Sequence, residues 1–193
     1  MSSVTGTQTE LLYTLTSAIT KNTYTTQAAI TGVLGTNTVC KLPGGWLAND
    51  NPNPLGRSLK LEMWGTIANT SAATFAAALG LDPTAGTINQ SITVAGALAP
   101  TAAVTCPFYM KAYYTCTAYA TSTATFQVNG TWRVESVASG GVPTTSAQCS
   151  GFSGTHAGVD PRVDNYVEVF GTWNASAAGN TTTVQQMFLW GLN

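Results

Sequence analysis

The sequence predicts an all-β chain folded as two antiparallel sheets packed face to face. Three observations predict it: helical periodicity is nearly absent, β-branched and aromatic residues recur in short runs, and clusters of Gly, Pro, Asn and Ser separate those runs. At 193 residues the chain has the size of one sandwich or barrel domain. Charged residues make up only 8%, against about 25% in ordinary globular proteins. The apolar fraction is 44%, so Thr, Ala, Ser and Gly stand where charges usually do. This composition can close a core and is not that of a disordered chain.

Taken in order, residues 11–19, 24–30, 58–68, 74–81, 88–94, 108–120, 123–137, 166–173 and 182–190 read as strands. Residues 1–9 are polar and read as a flexible N-terminal arm, leaving 10–193 as a single domain. The run at 72–78 has a helical alternative, but Thr74, Phe75 and the closing Gly80 suit a strand at least as well. Residues 42–56, with three prolines, and the Gly/Ser-rich residues 138–161 read as long connections.

Alternation assigns faces, because successive side chains of a strand point to opposite sides. Leu59, Leu61, Met63, Gly65 and Ile67 form a core face against Lys60, Glu62, Trp64 and Thr66. Phe108, Met110, Ala112, Tyr114 and Cys116 oppose Tyr109, Lys111 and Tyr113, where the lysine marks the outside. Likewise Val167, Val169, Gly171 and Trp173 oppose Tyr166, Glu168 and Phe170, with the glutamate as marker. In the last run Thr182 and Val184 set one parity and Met187 and Leu189 the other, as a β-bulge at Gln185–Gln186 would produce. Trp64, Tyr109, Tyr113, Tyr166 and Phe170 are therefore expected to point away from the core. Several outward rings on weakly charged strands imply a surface that something else covers, and these five are the candidate interface residues.

Catalytic and metal chemistry find little footing. His156 is the one histidine, and with Ser153 and Asp160 it sits in a Gly-rich stretch without the G-x-S-x-G elbow of a hydrolase, so it reads as a solvated loop residue. The eight acids include Glu135 and Glu168, which on neighbouring strands would resemble a glycosidase pair. Outer-face glutamates more commonly pair with cations, here Lys60, Lys111 or Arg133. Asp160 and Asp164 flank Arg162, which favours an ion pair over a calcium site. Cys40, Cys106, Cys116 and Cys149 lack metal-ligand spacing and read as buried free thiols. No catalytic residue, metal or cofactor is expected. A net charge of −1 with dispersed Lys and Arg gives no footprint for nucleic acid, and the longest apolar runs fall short of the roughly 20 residues that span a bilayer. The N-terminus has no signal-peptide pattern, so cytoplasmic synthesis is expected and the five N-x-S/T sequons carry little weight.

The order of segments resembles the small jelly-roll structural proteins of tailed bacteriophage virions: head decoration, minor capsid and minor tail proteins. The matching landmarks are Leu11-Leu12-Tyr13-Thr14, then Leu42-Pro43-Gly44-Gly45-Trp46-Leu47 leading to Gly56-Arg57-Ser58-Leu59-Lys60-Leu61, then Phe108-Tyr109-Met110. A terminal hairpin runs from Gly171-Thr172-Trp173 to Val184-Gln185-Gln186-Met187. The chain departs from the pattern at Asn49–Pro54 and over 138–161. The resemblance implies a jelly-roll-like sandwich of about eight strands without catalytic activity. It further implies a homo-oligomer, expected as a trimer, that docks on the major capsid protein of a phage shell, with the virion as its location. The competing expectation is a tail-associated receptor- or carbohydrate-binding module that stacks sugars on Trp64, Tyr109 and Tyr113.

Overall fold

The computed structural model describes residues 9–22, 24–31, 40–47, 57–70, 73–89, 91–94, 104–135 and 148–192. The expected N-terminal arm lies outside them except for Thr9, which pairs with Leu192. The described residues form twelve strands: β1 Thr9–Thr14, β2 Ile19–Asn22, β3 Ala28–Ala29, β4 Lys41–Leu42, β5 Ser58–Asn69, β6 Phe75–Asp82, β7 Ser91–Thr93, β8 Val104–Ala120, β9 Thr123–Val134, β10 Gln148–Val159, β11 Asn165–Trp173 and β12 Thr181–Leu192. They make the all-β, antiparallel two-sheet sandwich that the sequence predicts. The seven-stranded sheet has the order β1-β12-β5-β8-β9-β10, with β2 also on β12. The five-stranded sheet runs β3-β11-β6-β7, with β4 also on β11.

Alternation places the core as expected. Leu59, Leu61, Met63 and Ile67 from β5 and Phe108, Met110, Ala112, Tyr114 and Cys116 from β8 are all buried. A chain of rings joins the sheets: Phe108 and Trp132 stack with centroids 4.9 Å apart, Trp132 meets Phe75 at 6.1 Å, and Phe75 meets Trp173 at 5.1 Å. Such pairs add about 0.5–1.5 kcal/mol each beyond the area they bury. The bulge expected at Gln185–Gln186 is present as a register shift between Val184 and Gln186 against β5.

The structure corrects the sequence reading in several places. The run at 11–19 is broken into β1 and β2, and only Ala28–Ala29 of the run at 24–30 pairs as a strand. The expected connection at 138–161 contains β10, which pairs with β9 from Gln148↔Val134 to Val159↔Ala124. Its Gly, Ser and Thr resemble a loop in composition, yet Phe152, His156 and Val159 supply the buried face. His156 is therefore a core residue and not a solvated loop histidine. Ser153, three residues away, is exposed on the opposite face, and the Asp160 carboxylate is held by Arg162 at 2.8 and 3.0 Å. The Ser-His-Asp grouping is thus dispersed. Cys40, Cys106 and Cys116 are buried thiols as expected, but Cys149 is exposed, because its place in β10 points it outward beside Arg133.

Candidate functional site

Among the described residues, the outer face of the seven-stranded sheet gathers aromatic rings and charged side chains in one place. Strand register writes it as rows across the sheet. One row runs Gln186, Trp64, Tyr109, Arg133, Cys149. The next runs Phe188, Glu62, Lys111, Thr131, Gly151, and a third runs Leu11, Trp190, Lys60, Tyr113, Asn129, Ser153. Phe188 and Trp190 point outward because the bulge reverses parity after Gln185, so Met187 and Leu189 turn into the core.

The rings pack edge and face on one another. Trp64 lies 5.1 Å from Tyr109 at a 41° tilt and 5.8 Å from Phe188 at 78°, and Phe188 continues to Trp190 at 6.2 Å. This leaves Trp64, Tyr109, Phe188 and Trp190 half-buried, whereas Leu11 is 47% and Tyr113 38% exposed. Charges on this face are engaged locally. Lys60 Nζ meets Glu62 Oε2 at 3.0 Å, and the Tyr109 hydroxyl donates to Glu62 Oε1 at 3.2 Å. Partial burial, with the Glu62 carboxylate beside it, raises the Tyr109 phenol above its usual range. Lys111 lies 5.0 Å from the Tyr113 ring centre, and a hydrogen bond to Tyr113 lifts its ammonium above the ordinary lysine value. Arg133 pairs with Glu135 at 3.2 Å, as expected for that glutamate.

At the Trp64 end the surface dips into a hollow of about 310 Å³ lined by Trp64, Pro107, Phe108, Tyr109, Arg133 and Glu135. The outward rings of Trp64 and Tyr109 thus stand beside a guanidinium–carboxylate pair. That combination suits a ligand with one apolar flank and several hydroxyls, or a partner's side chain of similar character.

The five expected interface residues do not share one surface. Trp64, Tyr109 and Tyr113 belong to the rows above, while Tyr166 and Phe170 lie on the five-stranded sheet. Phe170 has the predicted outward parity but is only 2% exposed, so it is not a surface residue of the single chain. It lies over Ala78 and Gly80 of β6, whose small side chains leave a trough, and the turn through 83–89 folds back on the same side. Gly86 N–H donates to Glu168 Oε2 at 2.8 Å, and Asn89 N–H to Asp82 Oδ1 at 3.3 Å. Glu168, read from sequence as an outer-face marker, is likewise 2% exposed, and burial raises its carboxyl above the usual range, with Asp82 adding to the rise. Tyr166 is half-buried opposite Lys41. The ring residues that sequence reading missed, Phe188 and Trp190, were signalled by the bulge itself, since a parity switch at Gln185–Gln186 fixes their outward direction.

Among the described residues no group of three or more His, Cys, Asp or Glu could hold a metal ion, and no helix is long and apolar enough to cross a membrane.

No family model and no curated protein sequence matches this chain. Solved structures that resemble it include peanut lectin with a nine-residue peptide, 8% identical, covering 97% of this chain and 99% of the lectin with a TM-score of 0.32. Another is the CBM2 module of the evolved Dit of Lactobacillus casei BL23 phage J-1, 11% identical, covering 97% of each chain with a TM-score of 0.33. A third is arcelin-5, a lectin-like defence protein from Phaseolus vulgaris, 10% identical, covering 96% of this chain and 98% of that one with a TM-score of 0.34. Likenesses this distant concern β architecture and carry no argument about ligand or partner.

Proposed function

We propose that this protein is a non-enzymatic structural protein of a phage particle, most concretely a head decoration protein that associates with itself and docks on the outside of a shell built from a major capsid protein. The virion is then its working location, and neither cofactor nor nucleic acid takes part. The observation that carries the reading is the ring-bearing outer face of the seven-stranded sheet. Lys60 is paired with Glu62 and Arg133 with Glu135, and Lys111 is held over the Tyr113 ring, so a partner covering the face meets few unengaged charges. Leu11 and Tyr113, the most exposed apolar residues of that face, flank Trp190 and Lys60 in one row and mark where a partner gains most from contact. The segment order supports the virion assignment and an assembly of three copies.

Light scattering after size exclusion at micromolar protein tests self-association. The expected result is a mass that is a multiple of the chain, threefold by the segment order, and reduced in a Leu11→Glu/Tyr113→Glu variant whose melting point is unchanged. A stable wild-type monomer overturns self-association. Copy number on purified particles then tests placement, since hundreds of copies mean a shell component and a few mean a tail fitting.

The hollow beside Trp64 favours a second reading, a tail-associated carbohydrate-binding module. Glycan-array screening decides between them: selective binding that Trp64→Ala abolishes would assign the face to sugar, whereas decoration predicts no selective binding.

A further inference from the structure

We infer that β10 is an assembly edge: it pairs antiparallel with β10 of a second copy, joining two seven-stranded sheets into one continuous sheet of fourteen. The inference starts from how the chain treats its other strand edges. An unpaired strand edge presents a row of N–H and C=O groups to any passing chain, and proteins blunt such edges by shortness or charge. Here β3 and β4 have two residues each and β7 three, while β1 carries Glu10, β2 Lys21 and β4 Lys41. In contrast, β10 has twelve residues, Gln-Cys-Ser-Gly-Phe-Ser-Gly-Thr-His-Ala-Gly-Val, with neither charge nor proline. It ends the order of its sheet, and among the described residues nothing pairs with its far side over 149–155. Beyond that stretch the register shifts between His156 and Val159, and Gly158 takes a φ of 71°, so the strand bends away.

The occupant argued from these residues is the same strand of another copy. An uncharged strand does not repel itself across a two-fold axis, and isologous pairing closes on itself, satisfying both edges at once. The side chains also select a register. Within the chain, Phe152 lies across Gly130, where a Cβ would come within 2.9 Å of the Phe152 ring. A two-fold axis at Ser153 sets Phe152 of each copy opposite Gly154 of the other, repeating that aromatic-over-glycine match on the free side. It also sets Gly151 opposite Thr155, and Ser153 opposite its own copy. This edge contact is separate from the outer-face contact proposed above and would leave that face open, so a protein that makes both contacts has twice the mass that the face alone gives.

The test is crosslinking. In a Cys149→Ser background, Ser153→Cys treated with a short bis-maleimide should yield a covalent dimer, because directly opposed Cβ atoms lie about 5 Å apart. Thr131→Cys, exposed one strand further in, is the control and should yield little. In the Leu11→Glu/Tyr113→Glu background, which removes the outer-face contact, Ser153→Lys should weaken the remaining pairwise association about two- to fivefold by setting like charges opposite each other. Should that variant fold poorly, wild-type amide exchange gives the same answer, since protection of 151–155 should rise with protein concentration. Crosslinking of Ser153→Cys no better than of Thr131→Cys, or protection independent of concentration, overturns the inference. Both outcomes are distinct from loss of self-association in the outer-face variant.

Discussion

His156 is held in the sandwich with neither ring nitrogen hydrogen-bonded to any described residue, 0% exposed and stacked 6.1 Å from Tyr114 at an 8° tilt. Burial penalises the imidazolium and lowers its pKa from 6.5 to about 4. The unfolded chain therefore takes up the proton first as the pH falls. Stability from the neutral ring is complete above pH 6.5 and is lost progressively toward pH 4, by about 3 kcal/mol in all. Glu168 works in the opposite sense: its raised carboxyl favours the fold below the ordinary 4.5 and loses that contribution as the pH rises through the folded value. Comparing wild type with His156→Phe cancels the glutamate. Urea melts at a pH near 7 and one near 4.5 should show a smaller acid loss in the variant, which keeps a stacked ring. Equal losses would mean that the histidine finds a proton acceptor in the fold.

At the scale of elements, the centre of the large sheet depends on a close approach that only glycine permits. A Cβ on Gly65 of β5 would run into the Thr183 carbonyl oxygen of β12 and come within 2.6 Å of the Phe108 ring. The site adjoins the bulge after Val184, so β12 presses against β5 where its register changes. Gly65→Ala should cost about 1–3 kcal/mol in a denaturant melt, as overpacking does. The neighbouring outward Thr66→Ala should stay within about 0.5 kcal/mol. Equal small effects would show that the two strands separate easily. The bulge was legible because alternation fails visibly in Val184-Gln185-Gln186-Met187. β10 was not, because Gly151, Gly154 and Gly158 and the serines give it the composition of a connection, and its burial comes from lying across Gly130 and against Ile92, which local pattern does not encode.

For the whole molecule, the faces of β5 and β8 were readable residue by residue, since charged residues on alternate positions fix which side meets water. The faces of β11 were readable only in direction. Phe170 and Glu168 do point away from the core, yet both are buried, Glu168 under the turn through 83–89 and Phe170 against Gly80 of β6, and a contact between segments far apart in sequence leaves no trace in the alternation of either. The same limit divided the expected interface, placing Trp64, Tyr109 and Tyr113 on one sheet and Tyr166 and Phe170 on the other.

What remains on the large sheet's outer face determines how its contacts should respond to salt. Lys60 is paired with Glu62 and Arg133 with Glu135 inside the chain, and Lys111 lies over Tyr113. In the proposed assembly the contacts left for a partner are mainly rings, aliphatic carbon and neutral hydroxyls, which salt does not screen appreciably. An assembly held by ion pairs would instead weaken as the screening length shrinks. Self-association measured from about 50 mM to about 500 mM sodium chloride should therefore shift by less than about threefold in dissociation constant. A loss of about tenfold or more over that range would show that the partner breaks these internal pairs and takes the charges for itself, and the neutral face would then not be what holds copies together.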